Sequence, residues 1–91
     1  MTEAMLEKQI MDGLRARHVL AFKTHDAKHR PATIGIPDII ACLPGGTFFA
    51  IECKSPKGQP TLEQQTILGM LKAQGATTVI ARSWDDVERY L

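Results

Sequence analysis

Apolar residues near the N-terminus fall every fourth position, with Leu6, Ile10 and Leu14 in one stripe. This spacing predicts an amphipathic helix over 2–17. Thr2 is placed to cap it, Glu3 lies in its first turn, and Arg15 and Arg17 suit its C-terminal end. The pattern then shortens. Residues 19–24 read as a strand, and the polar stretch from His25 to Thr33 reads as a loop. Residues 38–43 and 47–54 read as two further strands joined by the turn Pro44-Gly45-Gly46. After a Pro- and Gly-containing loop from Ser55 to Pro60, Thr61 suits the N-cap of a second helix. Gln64 stands at its capping-box position, Ile67, Leu68 and Leu71 form its apolar face, and Gly75 ends it. Residues 77–81 read as a fourth strand, and Ser83 caps a last helix running through Asp85, Asp86 and Val87 to Leu91. The order αβββαβα is an α/β pattern, and the strand-helix-strand step implies a right-handed parallel crossover.

The second and third strands are apolar enough to be buried on both faces, yet they carry Asp38, Glu52 and Lys54. Alternation puts Glu52 and Lys54 on one face. A three-residue turn pairs Leu43 with Thr47 and sets Asp38 opposite Glu52. A two-residue turn moves Asp38 opposite Cys53, on the other face, and a bulge near Asp38 would restore the gathering. Opposed carboxylates in apolar surroundings must share a proton, meet a cation or bind a metal. Lys54 is one cation and a divalent ion is the other. Asp38, Glu52 and the backbone carbonyl of Cys53 are the hard oxygen ligands that Mg2+ or Mn2+ take. Such an ion activates water and polarises a phosphoryl oxygen, with Lys54 orienting the water or stabilising the developing charge. The alternative is an exposed edge-strand ion pair, against which the runs Ile39-Ile40-Ala41 and Phe48-Phe49-Ala50-Ile51 argue.

Gly35-Ile36-Pro37-Asp38 followed by Ile51-Glu52-Cys53-Lys54 resembles the PD-(D/E)xK signature of the restriction-endonuclease-like nucleases. Almost end to end, the chain is similar to the VRR-NUC family of that superfamily. The N-terminal helix carries a glutamate, the loop Ser55-Pro56-Lys57-Gly58 follows the E-x-K strand, and the next helix carries Gln64. Leu62 departs from the pattern, because relatives often have proline there; this bears on helix capping. The resemblance implies a restriction-endonuclease-like αβββαβα domain over 1–91, with a mixed four-stranded sheet flanked by helices. It implies a divalent-metal-dependent phosphodiesterase. Asp38 and Glu52 match its metal ligands, Lys54 its catalytic lysine, and Gln64 its active-site glutamine. Glu7 matches the first-helix glutamate, which reaches the metal directly or through water. On the residues alone, Glu3 competes with Glu7, and Gln64 has a helix-capping role open to it.

Composition narrows the partners. A net charge of +1 with 44% hydrophobic residues excludes a disordered polyelectrolyte and a histone-like basic protein. No apolar run suits a membrane span, and the N-terminus does not read as a secretory leader. Cys42 and Cys53 make no disulfide framework, and no zinc-finger spacing is present. Residues 1–60 hold eight Lys/Arg and six Asp/Glu, of which Glu7, Asp38 and Glu52 belong to the expected metal site. The remaining surface of that half is basic. Lys23, His25, Lys28, His29 and Arg30, with Lys57, are the candidate phosphate contacts; a metal-binding cluster of the three histidines is the weaker alternative. Phe48 and Phe49 suit the core and Trp84 and Tyr90 the last helix, leaving no platform for stacking bases. Recognition of backbone shape is therefore expected.

A small domain offers one site to one strand, and a twofold pair offers two. By resemblance to the junction-resolving members of the family, a homodimer acting on branched DNA such as four-way junctions is expected. The expected location is the bacterial or phage-infected cytoplasm, with no membrane and no small-molecule cofactor. Met5 and Met11 are candidate interface residues unless they pack in the core. The alternatives are a catalytically weak DNA-binding module and a nuclease acting on flaps or on nicked or linear duplex.

Overall fold

In the computed structural model, which describes residues 1–91, the N-terminal stripe forms α1 (Glu3–Ala16). Thr2 Oγ1 accepts from the Met5 N–H at 3.1 Å, so the expected cap is in place. No glycine ends this helix. His18 takes a left-handed φ of 59° instead, and the Val19 N–H donates to the Leu14 carbonyl at 3.0 Å. That is a Schellman-type closure on a residue other than glycine.

Four strands follow in one sheet of order β1-β2-β3-β4: β1 (Leu20–Lys23), β2 (Ile39–Leu43), β3 (Thr47–Cys53) and β4 (Thr77–Ala81). The first two pairings are antiparallel, and β3 with β4 is parallel. Leu43 pairs with Thr47 across the three-residue turn, where Gly45 and Gly46 take φ of 91° and 88°. Two consecutive left-handed residues are what the glycines supply. Helix α2 (Leu62–Ala73) has the full capping box between Thr61 and Gln64, and Gly75 beyond it has a φ of 100°.

One sheet face carries Ile39, Ala41, Phe49 and Ile51, packed with Leu6, Ile10, Met11 and Leu14 of α1 and with Val87. Met11 is thus a core residue and no interface candidate, whereas Met5 is exposed. Val87 belongs to α3 (Trp84–Glu88), which stops short of Leu91. Ser83 stands at its N-cap but makes no capping bond; the Asp86 carboxylate instead accepts from the Arg82 N–H at 2.8 Å.

The opposite sheet face is covered by α2 over β3 and β4 alone. The expectation that the central strands are buried on both faces therefore fails at one end. Phe48 is 45% exposed, outside the core, beside exposed Cys42, with Leu20 at 72% and Phe22 at 54%. The reason is coverage: α2 reaches two strands of the four.

α1 crosses α3 at Gly13, where an added Cβ would lie 2.5 Å from the Trp84 ring. Helix propensity favours alanine there by about 1 kcal/mol, but overpacking against a rigid ring costs ~1–3 kcal/mol. Gly13→Ala is expected to lower the thermal midpoint by several degrees, and a melt against wild type measures it. An unchanged or higher midpoint would show that the α1–α3 contact is looser than described.

Candidate functional site

Asp38 is held by its neighbours on the chain. The Pro37 carbonyl accepts from Thr24 Oγ1 at 2.7 Å, and the Asp38 carbonyl accepts from the Thr24 N–H at 2.9 Å. The end of β1 thereby fixes the entry to β2. Three residues before Asp38, Gly35 has a φ of 90°, and a Cβ there would stand 2.7 Å from the Glu63 backbone. Only glycine lets this loop both turn and lie on the first turn of α2. The glycine of the G-x-P-D run thus has a packing reason.

Ile39 pairs with Ile51, and continuing that register sets Asp38 opposite Glu52 and Pro37 opposite Cys53. The Cys53 N–H donates to Asp38 Oδ2 at 2.8 Å. In a strand, the N–H and C=O of one residue point to the same neighbour. The Cys53 carbonyl therefore points toward Pro37, which has no N–H to give it. Burial pushes the Cys53 thiol well above its ordinary range, so the side chain is not a thiolate.

Asp38 Oδ1 lies 3.0 Å from His25 Nε2, and Glu7 Oε1 lies 2.9 Å from the same nitrogen. Lys23 Nζ is 3.8 Å from Glu7 Oε2. Glu7 is 5% exposed, and burial, then the Asp38 charge, raises its pKa. Donor atoms of Glu7, His25 and Asp38 all lie within 4.8 Å of one another. Of the two first-helix glutamates, Glu7 enters this cluster; Glu3 Oε2 instead accepts from the Ser55 N–H at 3.4 Å.

Glu52 is 1% exposed, and its Oε2 has no hydrogen-bond partner. Its pKa is pushed up to about 9, first by burial and then by Asp38. Lys54 is also buried. Its N–H donates to the Ala81 carbonyl at 3.0 Å, and it joins none of the ion pairs seen elsewhere in the chain. A buried, partnerless carboxylate oxygen beside a second carboxylate is costly without a cation. With Glu7, His25 and the Cys53 carbonyl nearby, this donor set fits a divalent ion.

Gln64 is engaged elsewhere. Its Oε1 accepts from the Thr61 N–H at 2.8 Å, completing the capping box, and it makes no hydrogen bond to Glu7, Asp38, Glu52 or Lys54. In the His25–Thr33 loop, Asp26 Oδ1 accepts from the Lys28 and His29 N–H groups at 2.8 and 2.7 Å. These bonds, with the His29 ring first among them, hold the Asp26 carboxyl below its usual range. Lys28 and Arg30 are exposed, and Arg30 lines a cleft of about 400 Å3 with His25, Thr33, Gly35 and Asp38. Lys57 is exposed in a loop clamped by Arg82, whose Nη1 donates to the Ser55 and Gly58 carbonyls, both at 2.7 Å.

Two residues of this region were not legible from the sequence in these positions. Arg82 carries no sequence signal. His25 does: Lys23 and His25 stand two apart at the end of a strand, and that alternation turns both toward Glu7.

Known proteins bear on the fold. Family models give no match to the sequence, and neither do curated proteins. Solved structures do match. One described as "VRR_NUC domain" superposes with a TM-score of 0.76 at 22% identity, over 98% of this chain and 94% of that one. Another, "VRR_NUC domain protein", superposes with a TM-score of 0.69 at 22% identity, over 99% of this chain and 84% of that one. With its mixed four-stranded sheet and the helices on it, the chain has the α/β fold of the structures described as VRR_NUC domain.

Proposed function

We propose that this chain is a single VRR-NUC-type domain that hydrolyses DNA phosphodiester bonds endonucleolytically with Mg2+ or Mn2+. The observation that carries this is the buried, partnerless Oε2 of Glu52 opposite Asp38, whose own carboxylate clusters with Glu7 and His25. Asp38, Glu52, Glu7 and the Cys53 carbonyl hold the ion. Held there, a divalent ion would supply water activation and polarisation of the phosphoryl oxygen. Lys54, buried just beyond β3, offsets the negative charge that develops on the phosphorus oxygens. Gln64, at the N-terminus of α2, orients substrate when its capping bond is exchanged. The cleft beside Asp38 receives the scissile strand, and Arg30, Lys28, His29, Lys23 and Lys57 steer its phosphates. No base-reading helix is offered, so backbone geometry selects the substrate, and four-way junctions are the favoured form. No helix is long and apolar enough to cross a membrane, and the reading is of an enzyme that works on DNA in the cytoplasm.

The test is cleavage of junction, flap, nicked, single-stranded and linear duplex DNA with Mg2+, Mn2+ or EDTA. Cutting strongest at the junction, and lost in EDTA, is expected. Binding without cutting under either metal would leave a DNA-binding module and remove the enzyme.

The pair needed to cut both strands is supported by the bare half of the sheet. Leu20, Cys42 and Phe48 align across three strands, with Phe22 in the next row. Exposed apolar rows of this kind mark interfaces. Two copies meeting on this face form a twofold dimer. Light scattering of the full chain is expected to give twice the 10.0 kDa monomer mass, and Phe22→Asp is expected to return it to 10.0 kDa. A monomeric wild type at micromolar concentration would remove the dimer.

A further inference from the structure

We propose that His25 is a direct ligand of the bound cation and makes the site select a first-row transition dication such as Mn2+ over Mg2+. This rests on the metal-dependent reading above and narrows it.

His25 Nε2 meets two carboxylate oxygens at once, Glu7 Oε1 at 2.9 Å and Asp38 Oδ1 at 3.0 Å. A ring nitrogen carries at most one proton, so it cannot donate a good hydrogen bond to both oxygens. A cation at the common focus satisfies all three atoms. Bonds of ~2.1 Å in octahedral arrangement separate neighbouring ligand atoms by about 3 Å, so nitrogen and oxygens already stand at the spacing of adjacent ligands. An independent observation points the same way: Glu52 Oε2, 1% exposed, has no partner and lies beside Asp38.

The identity of the donor then decides the ion. Mg2+ takes oxygen ligands and retains water, whereas imidazole suits transition dications. Three carboxylates and a carbonyl alone would suit Mg2+. Adding one imidazole moves the preference toward Mn2+ and its neighbours in the series. His25 reaches this place because Lys23 and His25 continue the alternation of β1 and turn toward α1, where Glu7 waits.

The test uses the full chain loaded with Mn2+ alone and read by pulsed electron paramagnetic resonance. Modulation from a directly bound imidazole nitrogen is expected. It should shift when histidine is isotopically labelled, persist in His29→Gln and vanish in His25→Gln. Calorimetric titration should show His25→Gln weakening Mn2+ at least about tenfold while Mg2+ changes less than about threefold. Bound Mn2+ without nitrogen modulation in wild type overturns the proposal, and that measurement needs no variant to fold. Modulation surviving in His25→Gln, or equal weakening of both metals, overturns it too. Failure of the wider reading looks different: Mn2+ then binds no better to wild type than to Asp38→Asn.

Discussion

Asp38→Asn and Lys54→Met are each expected to slow DNA cleavage by at least about a hundredfold to a thousandfold, the usual loss when one charged group facing a transition state is removed. Their effects on folding should be small for different reasons. Asparagine keeps an oxygen that accepts the Cys53 N–H now bonded to Asp38 Oδ2 at 2.8 Å. Its amide then donates to His25 Nε2 if the ring carries its proton on the other nitrogen. Methionine keeps the apolar stem of Lys54, whose burial is part of the end of β3. Alanine at either position would confound chemistry with a lost hydrogen bond or a cavity. The two variants separate in a metal titration. Asp38→Asn should lose divalent-ion affinity together with cleavage. Lys54→Met should bind the ion as wild type does and still fail to cut. Cleavage on a junction substrate, a melt and a calorimetric titration on both proteins check this. A Lys54→Met protein that cuts at the wild-type rate would take the lysine out of the chemistry.

How far these positions could be read from the residues alone differs between them for physical reasons. The hairpin was legible as a turn, and its register only in part: Pro44-Gly45-Gly46 admits a two- or a three-residue turn on the residues alone, and the structure takes the three-residue one, with Gly45 and Gly46 left-handed and Asp38 opposite Glu52. Both threonine helix caps were legible too, since the Thr2 and Thr61 hydroxyl oxygens accept from amides three residues away. Ser83 has the same sequence signal but makes no side-chain capping bond; the polar bond at that helix start is the Asp86 carboxylate accepting from the Arg82 N–H. Coverage by distant elements was not legible. Phe48 and Phe49 are adjacent and equally apolar, yet Phe49 is buried while Phe48 stands where α2 does not reach. The choice between Glu3 and Glu7 is similar. Both lie on α1 one turn apart, and the packing angle of that helix over the sheet decides which carboxylate meets His25. The polar run that follows residue 24 places His25 in a loop facing phosphate on the residues alone; in the structure β1 ends at Lys23, and the side-chain alternation outlasts the ladder by two residues.

Glu52→Gln is expected to abolish cleavage and, in metal-free protein, to raise stability. Glu52 holds its proton up to about pH 9 in the folded chain, against 4.5 for a free carboxyl. The folded state therefore binds more protons than the unfolded state between those values, and stability falls as pH rises through them. Below the lower value both states are protonated and nothing is lost; above the upper value the loss is complete. At pH 8 the wild type accordingly carries most of this cost, and glutamine, which has no charge to bury, carries none. Burial and the Asp38 charge opposite are what raise the Glu52 value, and removing the buried charge is expected to gain about 2–4 kcal/mol. For a domain of this size that is a rise in midpoint on the order of 10–20 °C. Melts in EDTA at pH 5, 7 and 9 should show the two proteins converging at acid pH and separating as pH rises. Saturating Mn2+ should close the gap from the other side, stabilising wild type by ~2.7 kcal/mol at a hundred times its Kd and Glu52→Gln by less. Equal midpoints at pH 9 in EDTA would mean that the carboxylate is solvated or paired in solution. The partnerless oxygen opposite Asp38 would then no longer require a cation.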